Sequence, residues 1–458
     1  MAKSTLIRPS VGQCVLTVSI VVACLMATSD CLFPNSKPKM GSSPQNTSPK
    51  TPSTLIPDER VLVSQAHMQL TFDLMSSMIM AEAYNPKTKL LDSIVFSPLS
   101  IQSILMMIHL GAKGKTKADL AHLMHFDDFV NSSTTFARTH QIFGESVKSL
   151  LEDEEISKYL TMANQIFVNK DLSISHNYKV ALKHYHQTTL RPIDFTSNVV
   201  IDKINDWVAK TTKGSIKNFL TGPLSPMTAL IALNALHFKG DWLYRFDEKE
   251  TQKNSWFQLT NGQSVQVNMM VGKFPIAYGE INERGFSASI VELPYRTQRL
   301  GLFLILPLEN KPNSLFNLMR SLNSTSFTQL ITSMKKSKPG DEVNIRIPKF
   351  EMQSKPDLTS LLRYHMGLKS LFSGSMSDFS AMLEPKPTSP PVSLSQFSHQ
   401  AVLSINENGS IASAATAMVV ERVGTFTGPY FECDRPFLFF LTDKQTGLIL
   451  FAGIFGKP

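Results

Sequence analysis

The sequence has little cysteine, no extended basic stripe and, past its first thirty residues, no long apolar run. Each absence excludes a class. Four cysteines occur in 458 residues, and two of them, Cys14 and Cys24, lie in the N-terminal apolar stretch. Cys31 and Cys433 remain. That is no disulfide framework, and a chain of this length has no need of one. A Cys31–Cys433 bridge stays open, with Cys31 on a segment of low complexity. The formal net charge is +8, but Lys and Arg are scattered, and Lys335-Lys336-Ser337-Lys338 is the densest cluster. A nucleic-acid surface needs a basic stripe or patch, so nucleic acid is not expected as a partner. No apolar segment after residue 29 approaches the ~20 residues of a membrane span.

Catalytic motifs are missing as well. "GAKGKT", 111–116, has its first two glycines too close for a phosphate-binding loop and reads as a helix end and turn. G-x-S-x-G and H-E-x-x-H do not occur. "KHYHQ", 183–187, has the one histidine pair near metal-ligand spacing and reads as a solvated helix face. No metal, no cofactor and no enzyme activity are expected.

What is present begins with Lys3, Arg8 and "VGQCVLTVSIVVACLMA", 11–27. Basic residues, an apolar core and small residues near Ala27–Ser29 predict a secretory signal peptide over 1–29. A membrane anchor is the alternative, and the apolar run is short for it. Residues 30–59 are rich in Pro, Ser and Thr without apolar periodicity and read as an extended tail. Length alone suggests about three domains, yet no linker or repeat interrupts residues 60–458, which read as one domain. Four N-x-[ST] sequons stand at Asn46, Asn131, Asn323 and Asn408. Pro49 follows Asn46 closely and weakens it as an acceptor.

Helical spacing of apolar residues predicts helices over 64–80, 97–112 and 140–155. Strands then dominate, among them "TMANQIFVNK", "TALIALNALHFKG", "LGLFLILPL", "QAVLSI" and "RPFLFFLTD". The fold class is α+β, a helical half followed by large, mostly antiparallel sheets.

"FECDRPFLFFL", 431–441, with "GLILFAGIFGKP" after it, resembles the C-terminal signature of the serpins. "VFSPLSI", "ANQIFV", "INDWVAKTTKGSIKNFL", "NALHFKGDW", "VNMM", "VELPY", "LFLILP", "IPKFEM" and "HQAVLSINENG" follow the same family in order and spacing. The resemblance covers the chain after the tail. It implies three sheets, an exposed reactive-centre loop at about 407–431, and a secreted, monomeric inhibitor of serine proteases. In that mechanism a protease attacks the loop, forms an acyl-enzyme and is carried across the molecule as the loop inserts into a five-stranded sheet.

The residue types suit that reading. Strand side chains alternate, and Ser410, Ala412, Ala414, Thr416 and Met418 form an uncharged inward face. Ile411, Ser413, Ala415 and Ala417 form the other. Glu407 and Gly409 open the hinge, and no Pro interrupts the segment. Two departures stand out. Inhibitory members usually carry Glu where Ile411 stands, and a glycan on Asn408 would hinder insertion.

The usual spacing from Glu407 places the bond at Val423–Gly424, and relatives whose loop is one residue shorter have an Arg that would place it at Arg422–Val423. Arg422–Val423 suits a trypsin-like enzyme and is favoured. Val423–Gly424 suits an elastase-like one. A non-inhibitory carrier or chaperone is the other alternative, and the small, uncharged hinge argues against it. The resemblance also implies that Ser97, Ser100, Asn234 and His399 form a polar cluster under the central sheet, and that Trp242 stands where the loop first enters. "HQIFGESVKSLLEDEE", where some relatives bind glycosaminoglycans, is acidic, so that partner is not carried over.

Overall fold

The computed structural model describes residues 58–127, 135–283, 285–311, 313–336, 342–384, 391–408 and 428–458. Helix α1 spans Glu59–Met78 and continues as a π-turn over Ile79–Ala83. It starts five residues before the expected Ser64, because Asp58 caps it by accepting from the Arg60 N–H, and Glu59 fills the first turn. Helix α2 spans Pro98–Gly111. Ser97 caps it by accepting from Ser100 N, and Pro98 takes the first position. Helix α3 covers Gly114–Leu123, so the "GAKGKT" stretch is a helix end and a new helix start. Helices α4 (Phe136–Leu151), α5 (His176–His186) and α6 (Val200–Thr211) follow.

Three large sheets carry the rest, with seven, four and five strands. The five-stranded sheet positions the site. Its strands are β1 (Leu160–Asn169), β2 (Arg191–Ile193), β3 (Leu230–Phe238), β4 (Phe350–Ser354) and β5 (Leu394–Ile405), in the spatial order β4-β5-β3-β1-β2. β5 and β3 are parallel, with His399 opposite Asn234. β3 and β1 are antiparallel, with Asn164 opposite Asn234. The seven-stranded sheet is antiparallel throughout. The central one is not, since β1 and β2 are also parallel.

Eight of the nine residues of β3 are buried. A strand covered on both faces reads as a continuous apolar run. On one face lies the main core, which includes α2 residues Leu99, Ile101 and Ile104. On the other, α6 packs Ile204 and Val208 against Leu233 and Ala235 of β3 and Phe167 of β1. Among the described residues no helix is long and apolar enough to cross a membrane.

Candidate functional site

Beneath the seam between β3 and β5, four expected residues meet. Ser97 N donates to His399 Nε2 at 3.1 Å, so that nitrogen carries no proton. Nδ1 therefore carries it and donates to Asn234 Oδ1. Ser100 Oγ donates to the same oxygen at 2.7 Å. Asn164 Oδ1 accepts from Asn234 Nδ2 at 2.9 Å. The group spans α2, β1, β3 and β5, and the His399–Asn234 bond crosses the seam. Ser97, Ser100, Asn234 and His399 are fully buried, and burial holds the His399 imidazole down at about 3, neutral near pH 7.

At the top of the seam the chain leaves β5 through Asn406, Glu407 and Asn408. Trp242 Nε1 donates to Asn406 O at 2.8 Å, and its ring stacks on Tyr295 with centroids 4.3 Å apart. The Phe246 N–H donates to Glu407 O at 3.0 Å. The buried Glu407 carboxylate takes Thr251 Oγ1 at 2.9 Å and Lys349 Nζ at 2.7 Å. Burial pushes this carboxyl up. Hydrogen bonds from Lys349, from its own N–H and from Thr251 outweigh that and hold it below its ordinary range. Asn408 Nδ2 donates to Glu248 Oε1 at 2.9 Å. The seam is thus fixed at two levels, by polar groups below and by the contacts of Asn406, Glu407 and Asn408 above.

Gly409, Ser410, Ala412, Ala414, Ala415, Thr416, Arg422 and Val423 lie outside the described residues, as do Cys31, Asn46 and Asn131. Cys433 is buried and has no cysteine partner among the described residues. Asn323 is exposed and caps the helix Ser324–Ser333, its Oδ1 accepting from Thr325 N and Ser326 N. Among the described residues no group of His, Cys, Asp and Glu is arranged to hold a metal ion.

Some partners escaped the sequence. Asn164, Lys349, Thr251 and Glu248 complete the two clusters. Asn164 and Lys349 sit inside "ANQIFV" and "IPKFEM", where nothing in the residue type marks them. "KHYHQ" is not the solvated face expected: His184 is exposed, but His186 turns inward and meets His140.

A family model described as "Serpin (serine protease inhibitor)" matches residues 65–458. Human Serpin B4 is 31% identical over 409 residues, covering 86% of this chain and 99% of its own length. The solved structure of native protease nexin-1 with heparin is similar at a TM-score of 0.72 and 26% identity, over 87% of this chain and all of that one. Human thyroxine-binding globulin complexed with its hormone shares the fold at a TM-score of 0.72 and 24% identity, over 86% and 97%. The chain belongs to the serpin family. Its α+β architecture is the serpin fold. Serpins are inhibitors of proteases rather than catalysts, and the family has both extracellular and intracellular members.

Proposed function

We propose that this serpin is a secreted, monomeric inhibitor that traps a trypsin-like serine protease as a suicide substrate, with Arg422–Val423 as the bond attacked. The observation that carries the reading is the parallel pairing of β3 and β5 with the Glu407 hinge directly above their seam. A chain that leaves β5 and folds back runs antiparallel to β5, and hence to β3. It can therefore ladder with both if they part. The uncharged face from Ser410 to Met418 suits a position beside a strand buried on both sides.

In this reading the protease serine oxygen bonds to the Arg422 carbonyl carbon, the Arg422–Val423 amide breaks, and the Val423 amine leaves with a proton. An ester links the enzyme to Arg422. Insertion then separates the His399–Asn234 contact and carries the ester away before water cleaves it. Secretion rests on the N-terminal leader, residues 1–29, ahead of the tail, residues 30–59. Glycans on Asn323 and Asn131 fit that route. Glycosaminoglycan activation is left out, because α4 and its exit carry Glu145, Glu152, Asp153, Glu154 and Glu155 against Arg138 and Lys148.

The test is incubation of the purified protein with trypsin-like and elastase-like proteases, followed by boiling in detergent. A stable complex with a trypsin-like enzyme is expected. A complex with an elastase-like enzyme alone moves the bond to Val423–Gly424. Cleavage without any complex overturns inhibition and leaves a carrier or chaperone role.

A further inference from the structure

Three histidines from three helices form a hydrogen-bonded chain apart from the polar cluster at the seam. His109 Nδ1 of α2 lies 3.0 Å from His140 Nε2 of α4, and His140 Nδ1 lies 3.1 Å from His186 Nε2 of α5. His109 and His140 are buried and His186 is half-buried. Phe136 packs on His109 and Tyr185 on His140, and the exposed His184 ring also meets Tyr185.

The proton count limits this chain. Each contact needs one N–H, and a neutral imidazole has one. Neutral His140 donates in one direction and accepts in the other. One added proton lets it donate both ways. A further proton on either neighbour sets two N–H groups face to face. No carboxylate acts on the three rings among the described residues. Lys117 of α3, with its Nζ 5.4 Å from the Phe136 ring centre, adds positive field. Burial, then Lys117, holds His109 down at about 3, and burial holds His186 at about 4. His140 is pushed well below its usual value by burial, then by His186, His109 and Lys117.

The position of the chain matters. α4 leads into β1 and α5 into β2, whereas α2 packs against β3 and β1. The histidines thus tie the helices that precede the β1–β2 side of the central sheet to the helix beneath its middle.

We propose that His109, His140 and His186 form an acid-released latch: parting α2 from the α4–α5 pair hydrates the rings, takes up to three protons, and lets the β1–β2 side of the sheet move. Its consequence, faster insertion of the protein's own loop at acid pH, rests on the inhibitor reading above; the latch does not. Once hydrated, each histidine titrates near its ordinary 6.5. Below that pH the ratio of opened to closed molecules rises about tenfold per pH unit for each proton taken up, so roughly a thousandfold for three.

The test is amide hydrogen exchange of the full chain at pH 7.5, 6.0 and 5.0, read by mass spectrometry and corrected for intrinsic rates. Protection in α4 and α5 should fall at least a hundredfold from pH 6.0 to 5.0, while the strand Leu300–Pro307 keeps its own. His140→Gln retains a donor and an acceptor and should lower this dependence by about one proton. His186→Gln, at the half-buried end, should lower it by about one proton and serves if the first variant does not fold. Protection independent of pH, a loss shared equally by Leu300–Pro307, or an unchanged slope in His186→Gln would overturn the latch. Inhibition of a trypsin-like protease is measured after holding the protein at pH 5.0 and at 7.5. A pH-dependent latch in a protein that inhibits no protease at either pH leaves the latch standing and removes the inhibitor reading.

Discussion

Lys349 and Glu407 meet at 2.7 Å from unequal surroundings: the lysine side chain is 45% exposed and the glutamate 4%. The two halves of this pair should therefore not be equivalent. Lys349→Met leaves a buried carboxylate with only Thr251 and its own N–H. A fully buried pair broken this way costs about 3–5 kcal/mol. Partial exposure of the lysine reduces that, and about 2 kcal/mol is expected. Glu407→Gln keeps an acceptor for Thr251 and frees Lys349 into water, for less than about 1 kcal/mol. The lowered carboxyl stabilises the fold above its unfolded value of 4.5, and that contribution is lost as pH falls below it. Urea denaturation at pH 7 and pH 4 checks both points. The gap between the variants should shrink in acid, and equal costs at pH 7 would show that the lysine does not hold the hinge.

Ser410→Arg should turn an inhibitor into a substrate. The face from Ser410 to Met418 carries no charge, and a strand entering beside β3 meets buried neighbours on both sides. A guanidinium carried inward without a partner costs several kcal/mol. The variant should be cleaved at the wild-type bond and give no detergent-stable complex. A complex in wild-type yield would mean that position 410 stays outside the sheet.

The strands and the long helices were legible because apolar period and caps are local. The central row was only half legible. Asn164, Asn234 and His399 stand abreast through the pairings of β1, β3 and β5, and register between residues so far apart belongs to the assembled sheet. Family motifs supplied Ser97, Ser100, Asn234 and His399 because their positions are fixed in quoted segments. Asn164 and Lys349 stand in such segments too, but their partners come from elsewhere in the chain. His186 was misread for a local reason. Residues two apart lie on nearly opposite sides of a helix, so with His184 in water His186 had to face inward. α1 began early because Asp58 is a cap hidden at the end of a Pro/Ser/Thr-rich stretch.

Arg422 is the only basic residue between Glu407 and Arg435, which gives a trypsin-like enzyme one target in the loop. Arg422→Ala should abolish inhibition of such enzymes, because their acidic pocket would be left without its partner. In the wild type, mass spectrometry of the peptide released from the complex should find a fragment from Val423 to Pro458. A fragment starting at Gly424, with inhibition of an elastase-like enzyme surviving Arg422→Ala, places the bond one residue later.

His399 gives the seam its own dependence on pH. Its Nε2 accepts from Ser97 and its Nδ1–H donates to Asn234, so a second proton would oppose the Ser97 N–H. Burial keeps the folded imidazole at about 3, against an ordinary value of 6.5. Between those limits the unfolded chain binds a proton that the folded one does not. The contribution of His399 is complete above 6.5 and declines as pH falls, by about 1.4 kcal/mol per unit once well below that value. His399→Gln should lower stability at pH 7.5 by about 1–3 kcal/mol, because a flexible amide meets the Ser97 N–H and Asn234 with poorer geometry than the imidazole. It should also flatten the decline between pH 6 and 5 by close to one proton. Urea midpoints at pH 7.5, 6 and 5 measure both effects, and an unchanged slope would show that His399 titrates alike in the folded and unfolded chains. In the proposed mechanism the strands joined by the His399–Asn234 bond part, so its loss should also speed spontaneous inactivation at pH 7.5, seen as a falling yield of protease complex with storage time.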